Sequence, residues 1–155
     1  MDWRLNGFLS QLMLAGRLTG SYGEQMLYPL PAATGALNGR PPRLTFQKVL
    51  YVGLGDRSKY GSTRFKEISA RVLETLVKID VGSFAMSLPG REVLKLAPRQ
   101  MMELWLAEFH RLYVLTRFHE LQLDVTFVEP SDIQAEIKDQ LSQFQRQWGP
   151  PRTRT

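Results

Sequence analysis

The chain has 155 residues, 43% of them hydrophobic and 23% charged, with a net charge of +5 at pH 7 and no cysteine. That length holds one sizeable core, and the apolar content excludes disorder of the whole chain. The missing thiols exclude disulfides, cysteine-ligated zinc, iron–sulfur clusters and cysteine nucleophiles.

The period of the apolar residues changes along the chain, and each change marks an element. Leu5, Phe8, Leu9, Leu12 and Met13 recur at three and four, predicting a helix over residues 2–15 with Gly16 as its C-terminal glycine. Residues 24–31 predict a short strand, and Pro29 places it at a sheet edge or a strand end. Residues 32–43 hold two Gly and two Pro and read as a surface loop. The strongest strand signal is 44–54, where Lys48-Val-Leu-Tyr-Val-Gly-Leu54 is the nearly continuous run of a strand buried on both faces.

Phe65, Ile68, Val72, Leu76 and Ile79 then form the apolar stripe of an amphipathic helix of about four turns. Strand, glycine turn and helix make half of a βαβ unit. Residues 83–88 predict a second short strand, and Pro98 suits the first position of a helix reaching about Arg117. That helix carries Met101, Met102, Leu104, Trp105, Leu106 and Phe109 on more than one face, which predicts core burial with some interface. Residues 121–128 predict a further strand. Ser131 and Gln134 have the capping-box spacing for a last helix, with Ile133, Ile137, Leu141 and Phe144 as its stripe. Alternating strands and helices predict an α/β layer sandwich with a mostly parallel sheet, a single domain over 1–149 and a flexible tail over 150–155.

No catalytic constellation emerges. The two histidines, His110 and His119, stand nine apart without the clustered ligands of a metal site. Glu103 with Glu108 and Glu120 with Asp124 are acid pairs with no evident reason to be buried. A serine nucleophile lacks its Gly-x-Ser-x-Gly elbow. No catalytic residue, metal or cofactor is therefore expected.

Two features bear on binding. The turn containing Gly53, Gly55, Asp56, Ser58 and Gly61 stands where backbone N–H groups can meet a phosphate, although it completes neither a dinucleotide fingerprint nor a P-loop. Its alternative is a strand-to-helix turn that needs positive φ. Residues 40–71 carry eight basic residues against two acids, a local charge of +6, so the rest of the chain sums to −1. Arg40, Arg43, Arg57, Lys59, Arg64 and Lys66 form the candidate basic patch for nucleic acid or another polyanion, with Tyr60 and Phe65 as aromatics inside it. Its alternative is a solvated helix face beside a basic loop.

No apolar run approaches the roughly 18–20 residues of a membrane span. The first 16 residues carry Asp2 and Arg4 in an amphipathic pattern, unlike a signal peptide. A cytoplasmic protein without a membrane partner is expected.

The order of Glu24-Gln-Met-Leu-Tyr-Pro-Leu-Pro31, a loop, Lys48-Val-Leu-Tyr-Val-Gly-Leu-Gly-Asp-Arg57 and an amphipathic helix from Phe65 resembles the N-terminal domain of the leucyl (cytosol) aminopeptidase family over about residues 2–90. The resemblance implies a macro-like three-layer α/β/α sandwich, related to ADP-ribose-binding macro domains. In that family the domain precedes a two-metal catalytic domain, whose Asn-Thr-Asp-Ala-Glu-Gly-Arg signature has no counterpart in these residues, so no catalytic residue carries over. Family members usually begin with a strand, whereas this chain opens on a helix; the sheet is expected to lack its first strand. The domain helps build the oligomer in that family, and some members bind DNA. The resemblance thus implies an assembly or regulatory role through a protein partner or homo-oligomer. A macro-type nucleotide binder and a nucleic-acid binder stand as alternatives.

Overall fold

The computed structural model describes residues 7–29, 46–115 and 124–148. It is a mixed α/β structure with four α-helices and two two-stranded sheets among the described residues. The chain divides into two compact units, residues 1–56 and 57–155.

In the first unit, α1 (Phe8–Leu14) precedes β1 (Gln25–Pro29) and β2 (Lys48–Val52). Its end follows the sequence signal. Gly16 takes the left-handed φ of 67°, Gly16 N–H donates to Met13 O at 3.0 Å, and Arg17 N–H donates to Leu12 O at 2.9 Å. This is the paired bonding of a Schellman cap. β1 and β2 pair antiparallel, with Gln25 opposite Val52 and Pro29 opposite Lys48. Proline thus closes β1, where a missing N–H does least harm. Strands joined without a predicted crossover helix return antiparallel, so the mostly parallel expectation does not extend to this pair. Nor is β2 buried on both faces: Lys48 is exposed and Val49 to Val52 are half-buried. A run of β-branched and aromatic residues reports a preference for the pleated backbone, which half-burial already satisfies.

The second unit contains a 3-10 turn (Arg57–Lys59), α2 (Ser62–Lys78), β3 (Ser83–Met86), α3 (Pro98–Leu115), β4 (Asp124–Phe127) and α4 (Ser131–Trp148). β3 and β4 pair parallel, from Ser83 opposite Asp124 to Met86 opposite Phe127. With α3 as the crossover they form a complete βαβ unit. Pro98 opens α3 as the sequence predicts, because its fixed φ suits a first turn that has no use for its N–H.

α3 contacts both α2 and α4. The buried side chains include Phe65, Ile68, Leu73 and Leu76 of α2, Met101, Met102, Trp105 and Leu106 of α3, and Ile133 and Ile137 of α4. Fully burying side chains of this size contributes about 1.5–3 kcal/mol each before entropy is counted. The Trp105 ring stacks on Phe109 at 5.4 Å and meets Phe127 of β4 edge-on at 4.9 Å. Core burial of α3 is therefore the outcome. In α2 the buried stripe includes Ser69 and Leu73, with Val72 half-buried.

α4 begins differently from its prediction. Ser131 is its first helical residue, and the Gln134 side-chain amide donates to the Glu129 carbonyl at 2.8 Å. A capping box would have this side chain accept from the N-cap N–H; here it donates instead, to a carbonyl two residues before Ser131. Gln140 of α4 is buried while Leu141 and Phe144 are half-buried. Among the described residues, no helix is long and apolar enough to cross a membrane.

Candidate functional site

The glycine turn after β2 packs against the 19–23 loop. A Cβ on Gly53 would lie 2.1 Å from the Ser21 carbonyl oxygen and 2.8 Å from the Gly20 carbonyl carbon, so the 19–23 loop needs a residue without a side chain there. Gly53 N–H donates to Glu24 O at 2.8 Å, and its carbonyl accepts from Gly23 N–H at 2.9 Å. Gly55 has a φ of 72°, and its N–H donates to Gly20 O at 2.9 Å. Both glycine N–H groups are thus engaged by backbone carbonyls of their own unit. Asp56 and Ser58 are exposed. Gly61 is the N-cap of α2, with extended φ of −137° and no side-chain capping bond.

The loop that Gly53 and Gly55 contact holds an anion of its own. Glu24 Oε2 accepts from Gly20 N–H at 2.6 Å, Thr19 N–H at 3.0 Å and the Thr19 hydroxyl at 3.1 Å. Successive N–H groups around a left-handed residue make a concave anion nest, and Gly20 has the required φ of 74°. Here a carboxylate five residues downstream of Thr19 fills it. Burial works against the charged form. The bonds from the Thr19 hydroxyl and from the Gly20, Thr19 and Ser21 N–H groups outweigh it and hold the Glu24 carboxyl below the usual carboxylate range. Tyr51 answers in the other direction: burial, then the Glu24 charge, push its phenol above the ordinary value of 10.0.

The basic patch divides by unit. Lys48 is exposed on β2 of the first unit, and Arg40 and Arg43 lie outside the described residues. In the second unit Arg57 and Lys59 are exposed on the 3-10 turn. Arg64 is half-buried and Lys66 exposed, in the first turns of α2, whose start carries no acidic residue. The two aromatics of this stretch are not surface platforms. Phe65 is completely buried, and Tyr60 is buried with its hydroxyl donating to Pro89 O at 2.9 Å. Gly90 sits against that ring, where a Cβ would stand 2.4 Å from Tyr60 Cε1. The spacing of aromatics among cations could not reveal this, because Phe65 also belongs to the apolar stripe of α2.

Beyond the carboxyl ends of β3 and β4 lies a group the sequence did not single out. Glu129, its side chain 2% exposed, accepts from Leu88 N–H through Oε1. Its Oε2 has no hydrogen bond and is held by charge, with Arg91 Nε 3.1 Å away. This pair joins the segment after β3 to the short link between β4 and α4. The acids read as pairs in sequence separate into intrahelical ion pairs, Glu103 with Arg99 at 3.3 Å and Glu108 with Arg111 at 2.9 Å. The His110 ring lies against Trp148 with centroids 4.0 Å apart and the planes tilted by 44°. His119 and Glu120 lie outside the described residues. Among the described residues no group of three or more His, Asp or Glu side chains is placed to hold a metal ion.

Residues 1–120 match the family model described as the N-terminal domain of the cytosol aminopeptidase family. No curated protein matches the chain.

Proposed function

The chain belongs to the cytosol aminopeptidase family through that family's N-terminal domain, and from this premise we propose that it acts as a non-catalytic assembly module that associates with copies of itself. The reading includes a macro-like layered arrangement, to which the βαβ unit of β3, α3 and β4 is suited, and a place in the cytoplasm.

The observation that supports it is the surface of α1. No residue of this helix is buried. Phe8 stacks on Tyr28 of β1 at 4.0 Å, which anchors one side of the helix. Leu14 is 89% exposed and Met13 46% exposed. Apolar side chains adjoining on one short helix form a surface that association removes from water. Sedimentation equilibrium across a concentration series tests the reading: the 155-residue chain is expected to exceed its monomer mass, and Leu14→Glu to return it towards that mass. A monomer at every concentration overturns the proposal.

A second reading, polyanion binding, has one observation in its favour. Arg57, Lys59 and Lys66 are exposed around a helix start without a nearby acid in its first turn. A mobility shift with duplex DNA that weakens steeply with salt is the expected sign; no shift at low ionic strength removes this reading.

A further inference from the structure

The chain has no cysteine, so the thioether of methionine is the sulfur group it offers to mild oxidants. Among the described residues the methionines differ widely in access. Met101 and Met102 of α3 are 0% exposed, and Met26 of β1 and Met86 of β3 are half-buried. Met13 of α1 is 46% exposed. Oxidation follows exposure, so Met13 reacts before the others named.

Its position gives that reaction a consequence. Leu14, the next residue, is 89% exposed, and these two side chains form the apolar surface at the end of α1. The thioether is unbranched and polarisable, and packs well against apolar partners of irregular shape. The sulfoxide carries a strong acceptor oxygen, which must be stripped of water before it can be buried. The helix itself does not depend on the sulfur. Met13 serves the cap of α1 through its carbonyl, which accepts from Gly16 N–H at 3.0 Å, so oxidation alters the surface and leaves the helix end intact.

We propose that Met13 is a redox switch on self-association: hydrogen peroxide converts its thioether to the sulfoxide, and the oxidised α1 no longer pairs. In this step the O–O bond of the peroxide breaks and one oxygen atom passes to sulfur. Sulfur is oxidised by two electrons and the peroxide is reduced to water. The oxidant meets Met13 in the dissociated chain, so association slows oxidation just as oxidation opposes association. The proposal rests on the assembly reading and names its regulation.

The test treats the full chain with hydrogen peroxide at a series of protein concentrations, maps sulfoxides by peptide mass, and measures association by sedimentation equilibrium. Met13 should oxidise before Met101 and Met102, and more slowly as protein concentration rises. Its conversion should raise the dissociation constant roughly tenfold, the loss of about half a methionine side chain's burial from each chain. Methionine sulfoxide reductase should restore association. Met13→Leu, similar in volume, should associate like wild type and be indifferent to peroxide, which separates Met13 from every other thioether. Met13→Gln should associate as weakly as the oxidised chain. Met101 or Met102 oxidising as fast as Met13, an oxidation rate independent of protein concentration, unchanged association after Met13 is converted, or a peroxide effect that persists in Met13→Leu each overturns the proposal. A chain that is monomeric before any peroxide is added overturns the assembly reading, and the switch with it.

Discussion

Replacing Gly53 by alanine separates a packing role for the glycine turn from a ligand-binding one. The added Cβ stands 2.1 Å from the Ser21 carbonyl oxygen, more than an ångström inside ordinary contact, and the obstacle is backbone. Forcing it in costs about 1–3 kcal/mol as overpacking. The displacement also strains the bonds of Gly53 N–H to Glu24 O and of Gly23 N–H to Gly53 O, each with a net value of about 1 kcal/mol. A loss of about 3 kcal/mol is expected. Gly55→Ala meets a φ of 72° and the Tyr22 Cβ at 2.8 Å, for a loss of about 2 kcal/mol from the left-handed backbone and the contact together. Gly61→Ala meets nothing within 4 Å at an allowed φ of −137°, so its cost is only that of a poorer N-cap, at most about 1 kcal/mol. Native-state hydrogen exchange at Met26, Val49 and Tyr51 reads the stability of the β1–β2 ladder directly. Protection in Gly53→Ala equal to wild type, or a loss in Gly61→Ala as large as in Gly53→Ala, refutes the reasoning.

Removing Arg91 leaves the Glu129 carboxylate buried without a counter-charge. Breaking a buried pair this way costs about 3–5 kcal/mol; because Arg91 is 28% exposed, screening lowers the expected loss to about 2 kcal/mol. Urea unfolding checks the value, and adding Glu129→Gln to Arg91→Ala should cost less than the two single changes combined. Acid dependence follows from Glu24, whose carboxyl titrates below the ordinary 4.5 in the fold. Its contribution is complete above that value and disappears as pH falls through the lower folded pKa. Glu24→Gln should therefore be less stable than wild type at neutral pH and show a flatter stability profile in acid. At the alkaline end the raised Tyr51 pKa means that the unfolded chain ionises first, so stability declines as pH rises past about 10. Tyr51→Phe should flatten that limb in a pH series of urea midpoints.

Periodicity located the elements well because each carries a local signal that tertiary packing leaves intact. Gly16 ends α1, Pro29 ends β1, and Pro98 opens α3. The family resemblance rested on the strand and glycine turn, and the match to residues 1–120 bears it out. What the sequence hid was partnership at a distance. Gly53 looked like a turn glycine of either phosphate or positive-φ type, yet its requirement is the approach of the Ser21 carbonyl, more than thirty positions upstream. Glu24 had no mark as a clasp because its partners are mostly backbone N–H groups. Glu129 is buried only because the segment after β3 returns beside it. Tyr60 and Phe65 read as members of a basic surface until burial removed them from it.

Self-association through α1 is tested by hydrogen exchange of the full chain at rising protein concentration. Protection at residues 8–15 should increase with concentration while α2, in the other unit, stays unchanged. The Leu14→Glu variant should show no such increase. Exchange at residues 8–15 that is the same at every concentration contradicts the claim.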